Sequence, residues 1–538
     1  MGQPLQPRFT NPGRAAGAGP GSRAGEPALN RSGWLDWALA DGAVAALDAR
    51  WQALYRRPPT GAVRENPALN ARPEADVVVL GGGLGLLLAA VLQAGGLQAV
   101  VVDRDQPGRT HREWNSSLGE LAALARLGFD VKAITARTYR TGFVEFADRE
   151  RGRQPTRVWL PGVLDAPVSS DALLQQARAR FLAAGGILRS GEAFERLEVS
   201  ERGVVAHTSG SQVRARLAVD ALGVLSPIAH QLNPRPFDWV CPTVGSSVSG
   251  LAGVDPQVGE ILVTTGPAEP DGRQYIWELF PQEAGRSAVY LFHYAPLGRE
   301  GTLADLYRQY FRLLRGYHDD AGAEHLKRLF GFIPSRHRAR PGSLPGLVAV
   351  GDAAGWNNPL TFTGFGSFVR NLPRVSGLIQ AALAAGRTGA DVTALISARQ
   401  ANLRPMWAMA RFMRPLPGEP GSVNRIVNAF NTATVQAGPA LATRFYQDRG
   451  TPADLLGLLA RMARLYPGVW RHALAQLGPG GLAAFLADLA ASGLGGWRRP
   501  ERDPLRALAA RLEREASRPP GSGLNTVAGA NPPASSAA

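Results

Sequence analysis

Four glycines, Gly81, Gly82, Gly83 and Gly85, follow a short apolar run at Val77–Leu80. Asp103 closes a second apolar run 20 residues beyond Gly83. Glycine at a strand-to-helix turn lets backbone N–H groups approach a pyrophosphate, and the helix N-terminus adds a positive dipole. A carboxylate at the end of the second strand can accept from a ribose hydroxyl. The pattern points to a dinucleotide site; the competing reading is an ordinary glycine turn in a buried βαβ unit. The third glycine of GxGxxG is replaced by Leu86. That glycine serves helix–strand packing, so the approach to phosphate survives its loss.

Glu278 is a second group with chemical potential. It lies in QYIWELFP, beside Trp277 and Leu279 and one residue from Ile276 and Phe280. A carboxylate in such a strand is costly unless it is partnered or used. Period-two alternation places Glu278 on one face with Ile276 and Phe280, and Trp277 on the other. The alternative is a salt bridge to an arginine at a strand edge.

Two later segments bear on the dinucleotide reading. RLAVDALGVLSP is a strand ending on Asp220 with Gly223 beyond it. LVAVGDAAGWNNPLTFTGFGSFVRNL is a strand, the pair Gly351-Asp352, and a loop with Pro359, Gly364 and Gly366 opening a helix. Asp352 at a strand end is placed to bind a second ribose, although a lone Gly-Asp is also an ordinary turn. Small residues at that helix start allow close backbone approach to a ring system, with the helix dipole behind it.

The elements that must hold these residues follow in order. Residues 1–33 read as a disordered tail and 34–73 as a helix and linker. Residues 74–235 and 334–375 read as two parts of one nucleotide-binding domain, with a substrate domain at 236–333 between them. Residues 376–516 read as helical, broken at Pro415–Pro420 and at Gly478–Gly481, and 517–538 as a second disordered tail. Helices are expected at Ser170–Ala184 and Leu303–Gly316. Strands are expected at Gly186–Ser190, Phe194–Val199, Val204–Thr208, Arg214–Asp220, Val240–Val263, Tyr275–Phe280 and Ala288–Tyr294. The fold class is α/β.

A single cysteine, Cys241, excludes an intrachain disulfide and a cysteine metal cluster. The eight histidines are scattered and there is no HExxH, so no metal is expected. The net charge of +15 is carried by arginine, with lysine only at Lys132 and Lys327. No nucleic-acid motif accompanies it, so no nucleic-acid partner is expected. Val77–Val102 is uncharged over the length of a membrane span, but its glycines interrupt it. No secretory h-region is seen near the start. The expected location is cytoplasmic, peripheral on the inner face of the cell membrane. Phe485, Leu486, Leu489 and Trp497, beside Arg498 and Arg499, suit a membrane-surface helix, or else a bundle packed on the nucleotide domain.

The set of segments looks like a flavoprotein of the glutathione-reductase type. GGGLGLLLAAVLQ, HREWNSS, VDALGVLSPIAHQ, QYIWELFP, LFGFIPS and the long GDAAG segment then resemble the CruA/CruP-type lycopene cyclases, in the same order, from about Asp76 to Met413. This chain departs from the family pattern at REWNSSL and at Gly83. The resemblance implies an FAD-binding Rossmann-like domain with an inserted antiparallel β domain and a helical C-terminal region. It implies FAD in its reduced form, with NAD(P)H as a reductant, and an apolar carotenoid substrate. FAD would be held by Gly81, Gly83, Gly85, Asp103, Arg112, Asp220, Gly351, Asp352, Pro359, Gly364 and Gly366. Arg112 is otherwise a surface residue pairing with Glu113 or Glu120. The implied reaction is non-redox: an acid, here Glu278, protonates a terminal alkene, a six-membered ring closes, and a base removes a proton. Rival expectations are a flavin monooxygenase, a polyene reductase, or a non-catalytic flavin-binding paralogue. The WxWxIP element of flavin halogenases is missing. The oligomeric state is open.

Overall fold

The computed structural model describes residues 31–56, 59–135, 141–148, 152, 155–163, 165–233, 237, 239–265, 274–335, 344–398, 403–494 and 504–517. The expected tails lie outside them, apart from the ends of the flanking helices Arg31–Leu39 and Pro504–Ser517. Trp497, Arg498 and Arg499 also lie outside them.

ADVVVL and AVVVD have almost no polar side chains, and a parallel sheet covered on both faces is where such runs are stable. Ala75–Leu80 pairs in parallel with Ala99–Asp103 and with Gln212–Asp220. Ile187–Ser190 extends one side, and Leu347–Ala349 joins the far end of Gln212–Asp220, both in parallel. The antiparallel strands Phe194–Ser200 and Gly203–Thr208 complete the other side. Within the stretch read as linker, Val63–Glu65 forms an edge strand on Phe194–Ser200. Helices Leu84–Ala94, Ser170–Ala183 and Gly364–Ala384 bury one face of this sheet in a common apolar core.

Among the described residues the second sheet also has eight strands. Trp239–Ser249 lies between Arg286–His293 and Glu324–Ser335, and Tyr275–Pro281 and Val258–Thr265 follow outward. Two differences from expectation stand out. The Val240–Val263 run is two strands, with turns at Gly250 and Gly253 between them. Thr141–Asp148 and Thr156–Leu160 belong to this sheet, although they fall inside the 74–235 block assigned to the nucleotide domain. Thr141–Asp148 pairs in parallel, so the sheet is mixed rather than antiparallel throughout. Alternation along a strand reports a half-buried face but does not identify its partner.

One face of the second sheet packs on Leu303–Tyr317, whose Leu303, Leu306, Tyr307, Tyr310, Phe311 and Leu314 are buried. Thr302 caps that helix by accepting from the Asp305 N–H. The helices Arg31–Leu39 and Ala43–Arg56 join the same core, where Trp51 stacks on Phe332 at 4.6 Å. The opposite face carries Ile276, Phe280, Phe292 and Tyr294.

The C-terminal region is helical, with a break between Met413 and Ser422. Gly478, at φ +68, breaks Val469–Leu494. Val469–Ala490 is long and apolar enough to cross a membrane by length and composition. Phe485 and Leu489 are buried among the neighbouring helices, whereas Trp470, Leu474 and Leu486 are exposed.

Candidate functional site

A cavity of about 680 Å³ lies where the parallel sheet, the second sheet and the loop before Gly364–Ala384 meet. It is lined by Gly81, Gly83, Gly85, Asp103, Arg112, Glu278, Gly351, Asp352 and Gly364. Residues up to 283 positions apart in sequence thus share one space of the size usual for small-molecule sites.

The glycine turn is built by close packing. Gly81 adopts φ +109, and a Cβ there would stand 2.5 Å from the Ala221 carbonyl oxygen. Gly83 has no atom within 4 Å of its Cβ position, so its backbone faces open cavity at the start of Leu84–Ala94. Asp103 does not float free: its Oδ2 accepts from the Gly82 N–H at 2.5 Å and its Oδ1 from the Asp105 N–H at 2.8 Å. The carboxylate therefore braces the turn while remaining in the lining. Gly81→Ala is expected to destabilise the fold by about 2 kcal/mol or more, since it adds a left-handed strain to a backbone collision. Gly83→Ala should stay within about 1 kcal/mol of wild type. Parallel thermal denaturation of the two variants checks this contrast.

Three sequence-derived positions lie elsewhere. Asp220 is buried and accepts from Ser226 Oγ at 2.5 Å and the Leu222 N–H at 3.1 Å. It shapes the turn after its strand and does not line the cavity. Pro359 presents its carbonyl to the Tyr294 hydroxyl at 2.6 Å, which fastens the loop to the second sheet. Gly366 faces Glu120, and a Cβ there would meet Glu120 Oε2 at 2.8 Å. Both matter through packing, because small or rigid residues are demanded by neighbours as often as by ligands.

The REWN segment separates its charges. Lys327 Nζ holds Glu113 Oε1 at 2.6 Å and Asp171 Oδ2 at 3.1 Å. Glu120 pairs with Arg370. Neither carboxylate pairs with Arg112, whose guanidinium lies against Gly331 and lines the cavity. Trp114 stacks on Phe365 at 4.6 Å, a packing role. His111 stacks on Phe330 at 4.6 Å. Burial, then Arg112 and Lys327, push its pKa down to about 4 and keep the imidazole neutral.

Glu278 occupies a central strand, flanked by Val258–Thr265 and Arg286–His293. The alternation holds: Ile276 and Phe280 share its face, while Trp277 packs with Tyr310 and Tyr317 on the other. Tyr290 stands directly opposite Glu278, and its hydroxyl bonds the Glu113 backbone. Phe280, Phe292 and Phe362 line the cavity with it, and Phe362 packs on Phe292 at 4.4 Å. Among the described residues no cation or hydrogen-bond donor pairs with the carboxyl. Desolvation raises its pKa to about 8. At neutral pH it is a protonated acid facing an apolar wall.

Sequence reasoning missed a buried charge cluster behind the loop. Arg370 pairs with Glu120 and, at 2.7 Å, with Asp448 Oδ2. Asp448 also accepts from Asn358, from Thr361 Oγ1 at 3.3 Å and from Thr363 Oγ1 at 2.5 Å. An arginine inside the apolar helix sequence GFGSFVRNL was a readable signal; nothing local marks Asp448.

No protein-family profile and no curated protein sequence matches the chain. Solved structures do match in fold. One is a geranylgeranyl bacteriochlorophyll reductase-like protein from Thermoplasma acidophilum, with a TM-score of 0.53 and 14% identity over 76% of this chain and 98% of that one. Another is a triple mutant of the flavin-dependent brominase Bmp2, at 0.51 and 14% over 72% and 98%. A third is halogenase PltM, solved with phloroglucinol and FAD, at 0.50 and 12% over 82% and 96%. The chain therefore has the α/β fold found in these three proteins. At such identities the likeness is one of architecture.

Proposed function

We propose that this chain is an FAD-binding enzyme that protonates an apolar polyene at Glu278 and so cyclises a lycopene ψ-end to a β-ring. The residues present suit the cofactor. Open backbone at Gly83, the carboxylates of Asp103 and Asp352, and the cation of Arg112 line one cavity with Gly351 and Gly364. FAD bound there in reduced form would supply an electron-rich, anionic ring that steadies positive charge nearby. The chain's own residues would do the rest. Glu278 donates its proton to a terminal alkene carbon, the internal alkene attacks the resulting cation, and a new carbon–carbon bond closes the ring. The carboxylate left behind would serve as the base that takes a ring proton back, which leaves an isomer of the substrate and no net oxidation. Phe280, Phe292 and Phe362 exclude water and offer aromatic faces to the cation.

The observation that carries this reading is a carboxyl without a partner among the described residues, its pKa raised by desolvation, in the apolar wall of a cavity shared with the glycine turn. The motif resemblance to lycopene cyclases supports the substrate class. The fold likeness to a reductase-like protein and to halogenases supports a second reading, in which flavin reduces or oxygenates an apolar substrate. The mass of the product separates them. Lycopene supplied with the protein and reduced FAD is expected to yield a cyclic isomer of unchanged mass. Gain of two hydrogens, or of oxygen, would replace cyclisation with the second reading.

A further inference from the structure

Arg50 belongs to no motif and lies outside the nucleotide-binding segments, yet it lines the same cavity as Gly81, Asp103 and Arg104. Its helix, Ala43–Arg56, is divided between two duties. Val44, Asp48 and Trp51, at i, i+4 and i+7, are buried. Both Asp48 carboxylate oxygens accept from the Leu303 N–H, at 3.1 and 3.0 Å. Trp51 Nε1 donates to Glu300 Oε1 at 2.9 Å. These contacts fix the helix on the second sheet and its covering helix. Leu47 and Arg50, three residues apart, then lie together on an adjoining face, which is the one toward the cavity.

Among the described residues Arg50 makes no hydrogen bond or ion pair with a carboxylate. Its side chain is exposed to the cavity. Burial, and then the like charge of Arg104, lower its pKa from the ordinary value, against a smaller opposing pull from Asp105, whose carboxylate is paired with Arg104 at 3.2 Å. Both arginines sit by the end of Ala99–Asp103, and Arg109 lines the cavity as well. Asp105 is taken by Arg104 and Asp103 by the glycine turn, which leaves the Arg50 guanidinium as a donor for an anion in the cavity.

We propose that Arg50 binds the adenosine diphosphate half of the cofactor, so that the N-terminal helix forms one wall of the nucleotide site. The inference rests on the FAD-binding reading above and deepens it. Arginine suits the role because its planar fork can pair with phosphate oxygens or lie on an adenine face.

The test is titration of apoprotein with FAD, ADP and FMN, followed by flavin fluorescence and, for ADP, by calorimetry. Arg50→Ala is expected to weaken FAD and ADP about tenfold, as for loss of one charge-assisted contact, and to leave FMN unchanged. Arg50→Lys should recover part of the loss, and Arg56→Ala, at the end of the same helix, should bind all three as wild type. Unchanged FAD and ADP affinity in Arg50→Ala overturns the proposal. Equal weakening of FMN also overturns it, because the loss would then be one of fold. Wild-type protein that binds neither FAD nor ADP would instead overturn the FAD-binding reading itself.

Discussion

Glu278→Gln is expected to abolish product formation, with a loss of at least about 100-fold in turnover, while FAD binding is retained. Glutamine keeps the shape of the side chain but has no acidic proton, and general acid catalysis typically contributes a factor of about 10² to 10⁴. In the wild-type protein, activity should fall as pH rises through about 8, where the carboxyl ionises. The same group affects stability with a definite sign. Its folded pKa lies above its ordinary value of 4.5. Between those pH values the unfolded chain has released the proton that the folded chain still holds, so stability falls as pH rises through the window. The cost is complete above about pH 8 and is on the order of 5 kcal/mol. Glu278→Gln should therefore match wild type near pH 4 and melt at higher temperature than wild type near pH 9. A variant that is inactive and shows this alkaline stabilisation separates a catalytic acid from a merely structural one. Retained turnover would remove Glu278 from the chemistry.

The sequence could report Glu278 because both its strand type and its chemical cost are local. Five apolar or aromatic neighbours define a strand, and alternation defines the face. The glycine turn was legible for the same reason, since Gly81, Gly83, Gly85 and Asp103 lie within one βαβ unit. Legibility stopped where partners are distant. Asp220 has the motif of a ligand-binding acid, but Ser226, six residues on, claims its carboxylate. Arg112 had two nearby carboxylates in sequence; Lys327 and Arg370, more than 200 positions away from them, hold both. The strands at Thr141–Asp148 and Thr156–Leu160 carry no local mark of the sheet they join. Arg50 shows no signal at all, because its importance comes from where two buried anchors, Asp48 and Trp51, direct its helix.

Arg370→Met is expected to destabilise the protein by about 3–5 kcal/mol, the usual result of removing one partner from a buried ion cluster. Arg370, Glu120 and Asp448 are all buried, so the variant leaves two carboxylates without their cation and with little access to water. The effect should spread beyond stability. Asp448 ties down Asn358, Thr361 and Thr363, the residues that shape the loop before Gly364–Ala384. Glu120, on the other side, also accepts from Ser116 Oγ at 2.8 Å and fills the space left by Gly366. Freed carboxylates would repel one another and push that loop away from the cavity. FAD affinity should then fall along with stability, although none of the three residues lines the cavity. Replacing all three, Glu120→Gln with Arg370→Met and Asp448→Asn, should restore much of the stability, since neither carboxylate then faces the place of a missing guanidinium. Arg425→Ala breaks the solvent-screened pair with Glu419 and should cost little. Denaturant unfolding of the three variants gives the comparison. If Arg370→Met unfolds no more easily than Arg425→Ala, the cluster does not hold the loop, and the helical region has no part in shaping the site.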